Sequence, residues 1–135
     1  MEYLEFALGT LAGFPRARLD AMHAQYMAEV ILPAIRPAAL ALLQKHRDAG
    51  DLVAIVTATN HFVTAPIARA LGVEHLLAAM PETDAEGNLT GRLLGTPTQG
   101  AGKIVHTKAW AWTCWPAMPS CLRRAGASWR SARRP

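Results

Sequence analysis

The sequence predicts an α/β fold in which several helices precede part of a parallel sheet. Two observations carry this prediction. Leu52 to Val56 (LVAIV) is a short apolar run without polar alternation, which is typical of a strand buried on both faces. A helical pattern from His61 to Leu71 follows it, and such strand–helix alternation favours a parallel sheet with crossover connections.

The first third of the chain is predicted to be helical. Residues 2 to 12 carry leucines at helical spacing, and a longer apolar and aromatic stripe runs from Leu19 to Val30 at spacings of three and four. A further helix is predicted from Pro37 to Asp48, because proline suits a first helical turn and the following Gly50 suits a helix end. These helices are expected to form a separate layer or cap.

Weaker signals follow the central strand. Val73 to Leu77 is a second short strand, and ETDAEGNLTGRLLG is a hairpin with Gly87 and Asn88 at its turn. Another helix is predicted to begin near Lys103, and no periodicity continues beyond Trp112. One strand and its helix do not complete a sheet. The other strands are therefore expected to come from elsewhere, or they are missing from this chain.

Composition indicates a globular chain. Of the 135 residues, 51% are hydrophobic and 18% are charged, which argues against disorder. The N-terminus, MEYLEFALGTLAG, carries two glutamates and no basic segment, so it does not resemble a secretory signal. We expect a cytoplasmic protein without a membrane partner.

The charge is unevenly distributed. Residues 1–108 hold nine of the 14 basic residues and all ten acids, whereas residues 109–135 hold five arginines, no acid, all four tryptophans and both cysteines. Three interpretations fit this tail. It is the product of a shifted reading frame in GC-rich DNA, or a segment that binds nucleic acid, a partner or a membrane surface, or a folded terminal element. The first is favoured.

Two candidate residues for phosphate chemistry stand at predicted helix starts. Thr57 follows the central strand, and its hydroxyl, with the N–H groups of Ala58 and Thr59, suits a phosphate oxygen. The alternative, which spacing alone favours, is that Thr57 or Asn60 only caps the next helix. Lys103 follows a glycine-containing loop and can neutralise a phosphate, although such a lysine is more often a surface charge.

The stretch from Tyr3 to about Trp110 resembles the phosphoserine-phosphatase-like branch, subfamily IB, of the haloacid dehalogenase (HAD) superfamily. AGDLVAIVTATNHFVTAPIARALGVEHLLA carries most of the similarity, and PETDAEGNLTGRLLG and the later Gly102–Lys103 pair continue it in order. The resemblance implies three regions: a helical cap remnant at 1–48, a partial Rossmann-like core at 49–112 and an aberrant basic tail at 113–135.

The family's chemistry implies a phosphomonoester hydrolase. Its members use an aspartate nucleophile, a second aspartate as acid and base, and Mg²⁺, and they act on small phosphorylated metabolites such as phosphoserine or histidinol phosphate. The resemblance places Thr57 at the second family motif, which binds phosphate, and Lys103 at the third, as a catalytic residue.

Two acidic motifs of the family have no counterpart here. The sequence contains no Asp-x-Asp, and no acid follows Glu86, where a Mg²⁺-binding pair is expected. Covalent phosphoryl transfer needs a nucleophile, and Mg²⁺ takes oxygen ligands, usually carboxylates. We therefore expect no complete metal site and an inactive chain, truncated at its N-terminus and frameshifted near its C-terminus. The alternative is a non-catalytic binding or regulatory module whose basic tail contacts nucleic acid or a partner.

Overall fold

The computed structural model describes residues 2–114, and of residues 2–4 the backbone only. Its elements, in chain order, are α1 (Glu2–Ala12), α2 (Arg16–Tyr26), a π-helical turn (Met27–Ile31), α3 (Leu32–Ala34), α4 (Pro37–Asp48), β1 (Ala54–Asn60), α5 (His61–Ala70), β2 (His75–Thr83), β3 (Leu89–Leu94) and α6 (Ala101–Cys114). The predicted α/β class is confirmed. The predicted tail, 113–135, lies outside the described residues from position 115 onward.

The three strands form one mixed sheet in the order β1-β2-β3. β1 and β2 are parallel, with α5 as the crossover between them, and β2 and β3 are antiparallel. The prediction of a short strand followed by a separate hairpin was wrong in one respect. A single strand, β2, pairs with β1 through its first half and with β3 through its second half, because the apolar run Leu76–Met80 continues without a turn residue.

The central strand extends further than predicted. β1 ends at Asn60, not at Val56, so Thr57 lies within the strand and does not follow it. The physical reason lies in the sequence TAT, because the two β-branched threonines favour extended backbone and continue the strand to the first residue that caps a helix.

The first of the leading helices contacts the sheet directly. α1 packs along β3, where Gly91 has φ +83° and a Cβ at this position would stand 3.3 Å from the Gly9 Cα. Only glycine allows this backbone approach without strain. Within the predicted stripe, which runs through α2 and the π-helical turn, Leu19 is buried, whereas Met22, Tyr26 and Val30 are exposed. The stripe is therefore helical as predicted, but only part of it is covered by other described residues.

The core of the described part is small. Its buried apolar side chains are Leu8, Leu19, Ala68, Val73, Ala79 and Leu89. Among residues 2–114, no single helix has both the length and the apolarity of a membrane span; Arg16–Ala34 and Pro37–Asp48 meet such a criterion only jointly, as a pair bent by 85°.

Candidate functional site

A bulge forms at the carboxyl end of β1. Val56 pairs with Leu77 and Asn60 pairs with Ala79, so the three residues 57–59 of β1 stand opposite the single residue 78 of β2. Such a bulge takes its residues out of the regular ladder, and β-bulges in general are over-represented next to active sites. In α/β sheets, ligands bind beyond the carboxyl ends of parallel strands, which is the position of this bulge.

Hydrogen bonds define the local geometry of the bulge. The Thr57 Oγ1 accepts a hydrogen bond from the Thr59 N–H at 3.1 Å. No described residue accepts a hydrogen bond from the Thr57 hydroxyl proton, which is therefore available to a ligand.

The helix cap is Asn60. Its Oδ1 accepts a hydrogen bond from the Val63 N–H at 3.0 Å, and its backbone carbonyl accepts one from the Thr64 hydroxyl at 3.0 Å. Of the two candidates for a cap, the structure therefore assigns that role to Asn60. The start of α5, with the positive end of its helix dipole, follows directly on the bulge.

Lys103 lies in the first turn of α6, a helix that packs against β1. Its side chain is exposed and makes no hydrogen bond or ion pair to another residue in the part of the chain that the structure describes. The preceding Gly102 is buried, and a Cβ built there would overlap the carbonyl oxygen of Pro97. Glycine at this position therefore lets α6 begin close against the loop, and so fixes where Lys103 emerges.

A cleft around Arg16 was not anticipated from the sequence. Arg16, His61 and Phe62 line both of two neighbouring cavities, of about 390 and 240 Å³. The Arg16 guanidinium donates to Asp20 at 2.9 Å and to the Gly87 carbonyl at 3.3 Å, and it lies 5.0 Å from the centre of the Phe62 ring.

Arg16 thereby joins three elements at one point. Besides its side-chain contacts, its backbone N–H donates to the Asn88 Oδ1 at 2.9 Å, which ties the start of α2 to the β2–β3 turn. A cation at the start of a helix is no recognisable signal by itself, and its partners Gly87 and Asn88 lie more than 70 positions away in sequence. Local patterns therefore could not identify this cleft.

The acids of the described residues do not fit a Mg²⁺ site. No three His, Cys, Asp or Glu side chains of residues 5–114 come close enough together to hold a metal ion. Asp20 pairs with Arg16, Asp51 with His46 at 2.8 Å, and Asp48 accepts from the Gln44 side chain. Asp84 accepts hydrogen bonds within its own turn. Each of the four aspartates thus has a local structural partner.

Comparisons with known proteins agree with this fold. The sequence model of the haloacid dehalogenase-like hydrolase family matches residues 1–119. The chain is 34% identical over 108 residues to a histidinol-phosphatase of Neisseria meningitidis, covering 80% of this chain and 49% of that protein. It is 37% identical over 97 residues to phosphoserine phosphatase SerB1 of Mycobacterium tuberculosis, covering 72% of this chain and 31% of that protein.

A solved structure shows the same arrangement. The chain matches a Bordetella pertussis protein of unknown function with a TM-score of 0.78 and 46% identity, over 83% of this chain and 50% of that one. The chain therefore spans about half the length, or less, of these relatives. The family match over most of its residues, together with this structural agreement, shows that the chain belongs to the haloacid dehalogenase-like hydrolases.

Proposed function

We propose that this chain carries the phosphate-binding part of a HAD-type phosphomonoester hydrolase. The single observation that carries the proposal is the bulge at residues 57–59, which lies at the carboxyl end of β1 and leads directly into the start of α5. There the Thr57 hydroxyl and the N–H groups of Ala58 and Thr59 are the phosphate donors. The α5 dipole adds favourable charge for an anion.

Phosphate binding at the bulge involves an exchange of hydrogen bonds. The Thr59 N–H donates to the Thr57 Oγ1 when no ligand is bound. A phosphate oxygen is a stronger acceptor than a neutral hydroxyl, because charge-assisted hydrogen bonds are roughly twice as strong as neutral ones. The N–H therefore turns to the phosphate, and the Thr57 hydroxyl donates to it as well. Lys103, on the helix that packs against β1, supplies the positive charge.

The 135-residue chain is proposed to perform no hydrolysis by itself. The sequence has no Asp-x-Asp, and each of its four aspartates makes a structural contact instead of facing the bulge as a free nucleophile. Thr57 and Lys103 can bind and orient a phosphate, but neither supplies the carboxylate that attacks phosphorus. Mg²⁺, which would neutralise the transferring group, finds no fitting ligand set in the described residues.

The intact protein is proposed to act on a small phosphorylated metabolite in the cytoplasm. The names of the two curated relatives, a histidinol-phosphatase and a phosphoserine phosphatase, support this substrate class. The segments that these relatives have beyond the matched part are proposed to supply the nucleophile and the Mg²⁺ ligands.

An NMR titration with inorganic phosphate tests the phosphate site. In the ¹⁵N-labelled chain, we expect saturable shifts of the Ala58 and Thr59 amides. Lys103→Ala should weaken binding by about tenfold, as expected for loss of a charge-assisted contact. Lys108→Ala is the matched control, since Lys108 is also an exposed lysine of α6. Equal effects of the two substitutions, or shifts spread over the surface without saturation, would contradict the site.

The alternative function is a non-catalytic binding module. It is favoured by one observation, the five arginines and four tryptophans without any acid in residues 109–135. Such a segment suits a polyanion through phosphate contacts and base stacking. Deleting residues 113–135 tests the module: salt-dependent nucleic-acid binding that disappears with the deletion supports it, whereas absence of such binding, or binding that the deletion leaves unchanged, excludes it.

A further inference from the structure

A groove about 390 Å³ in volume runs between α2 and α5. Its lining includes small or apolar side chains, among them Ala24 of α2 and Ala65 and Pro66 of α5. Two alanines on facing helices leave room that larger side chains would fill. The groove can therefore hold an extended apolar group.

Charged residues of the groove differ in whether they have partners. Arg16 and Asp20 neutralise each other at 2.9 Å. The side chains of His61 and Arg69, in contrast, make no hydrogen bond or ion pair with any described residue, and Arg69 is exposed. The unneutralised charge of the groove is therefore positive and lies at Arg69.

The positions of His61 and Arg69 give the groove a direction and a length. His61 is the first residue of α5, next to the Asn60 cap and the bulge, so this end adjoins the proposed phosphate site. Arg69 stands eight positions further along α5, which corresponds to about 12 Å at the helical rise. Ala65 lies between them at helical spacing.

We propose that this groove binds the organic part of the phosphomonoester and selects esters with an extended apolar chain that ends in a second anionic group at Arg69. The inference rests on the proposed phosphate site, because the phosphate end of the ligand must lie at the bulge. Arg69 is the specificity-determining residue, since its guanidinium has no partner and can form a charge-assisted hydrogen bond with a carboxylate. Ala65 sets the width of the groove.

The test uses three probes on the complete 135-residue chain: the phosphate ester of ω-hydroxyhexanoate, hexyl phosphate and inorganic phosphate. Affinities are measured by NMR titration in low salt. We expect the carboxylate ester to bind about fivefold more tightly than hexyl phosphate, the size expected for an exposed ion pair. Arg69→Gln should abolish this difference, and Arg92→Gln, which alters an exposed arginine of β3 outside the groove, should leave it intact.

A second variant separates the groove from the phosphate site. Ala65→Leu should weaken both organic esters and leave inorganic phosphate binding unchanged, because the added side chain fills the groove but not the bulge. Equal affinities of the two esters, or a preference that survives Arg69→Gln, would overturn the inference while leaving the phosphate site in place. Absence of binding by all three probes would instead overturn the phosphate site, and the inference with it.

Discussion

The Thr57 hydroxyl oxygen accepts a hydrogen bond from the backbone N–H of Thr59 at 3.1 Å, across the bulge that ends β1. This contact holds the bulge in shape from within, since the acceptor and the donor both belong to the three residues that lack a regular partner in β2. It also keeps a donor, the Thr57 O–H, available where the chain enters α5. One side chain thus both shapes the bulge and serves the proposed ligand.

Replacing Thr57 should affect folding and binding together. Thr57→Val keeps the shape of the side chain but removes the oxygen, so we expect a loss of about 1 kcal/mol in the free energy of unfolding and about fivefold weaker phosphate binding. Thr57→Ser, which retains the hydroxyl, is the control and should stay close to the parent protein in both. Urea unfolding and the phosphate titration measure the two effects. A Thr57→Val variant that binds phosphate normally would exclude the hydroxyl from the site.

The Asn60 cap should contribute to stability through its side-chain oxygen. Asn60→Ala removes the acceptor of the Val63 N–H and should cost about 1 kcal/mol, a decrease of about 5 °C in Tm. Asn60→Asp keeps an acceptor at the same place and should lose much less. Thermal unfolding followed by circular dichroism compares the three proteins, and equal Tm values for the alanine and aspartate variants would contradict the assigned cap.

Two glycines should respond in opposite ways to the same substitution. Gly102→Ala places a Cβ against the Pro97 carbonyl oxygen, so the start of α6 must move, and we expect a loss of about 2 kcal/mol or more. Gly9→Ala meets no atom within 4 Å and lies inside α1, where alanine is the better helix former, so a gain of about 0.5–1 kcal/mol is expected. Chemical denaturation checks both. A tolerated alanine at Gly102 would refute the close approach.

The outer edge of β1 should make the isolated chain prone to association. No strand pairs with this edge within residues 2–114, and the nearby helix α6 exposes Ile104 and Val105. Unpaired edges and exposed apolar side chains promote intermolecular contact. We expect a concentration-dependent increase of mass in light scattering and a broad thermal transition. A monomer with a sharp cooperative transition at every concentration would contradict the expected association.

Local sequence patterns predicted the α/β class and the hairpin turn. They also predicted the presence of six helices and strands in the leading and middle segments, namely α1, α2, α4, β1, α5 and β2. These patterns are short-range signals. They include the apolar stripe that begins at Leu19 and the prolines and glycines at helix ends, and each involves residues only a few positions apart in the sequence. The prediction for the end of β1 was wrong because threonine, as a residue type, suits a strand, a helix cap and a ligand site equally well, so the threonines of TATN (residues 57–60) did not indicate which of these they form. Only the pairing with β2 distinguishes these roles.

The cleft around Arg16 depended on contacts that no local pattern contains. Arg16 meets Gly87 and Asn88 only after the chain has folded the hairpin back onto α2. The groove likewise requires Ala24 and Ala65 to face one space from two separate helices. Small residues at these positions look ordinary in the sequence, since alanine is simply a good helix former.

A phosphatase assay determines whether this chain, which is proposed to bind phosphate, performs hydrolysis by itself. The purified 135-residue chain and its Lys103→Ala variant are incubated with Mg²⁺ and p-nitrophenyl phosphate, phosphoserine or histidinol phosphate, and released phosphate is measured. We expect both proteins to release phosphate no faster than buffer. Mg²⁺-dependent turnover by the parent chain that is lost in Lys103→Ala would show that the chain is a working phosphatase.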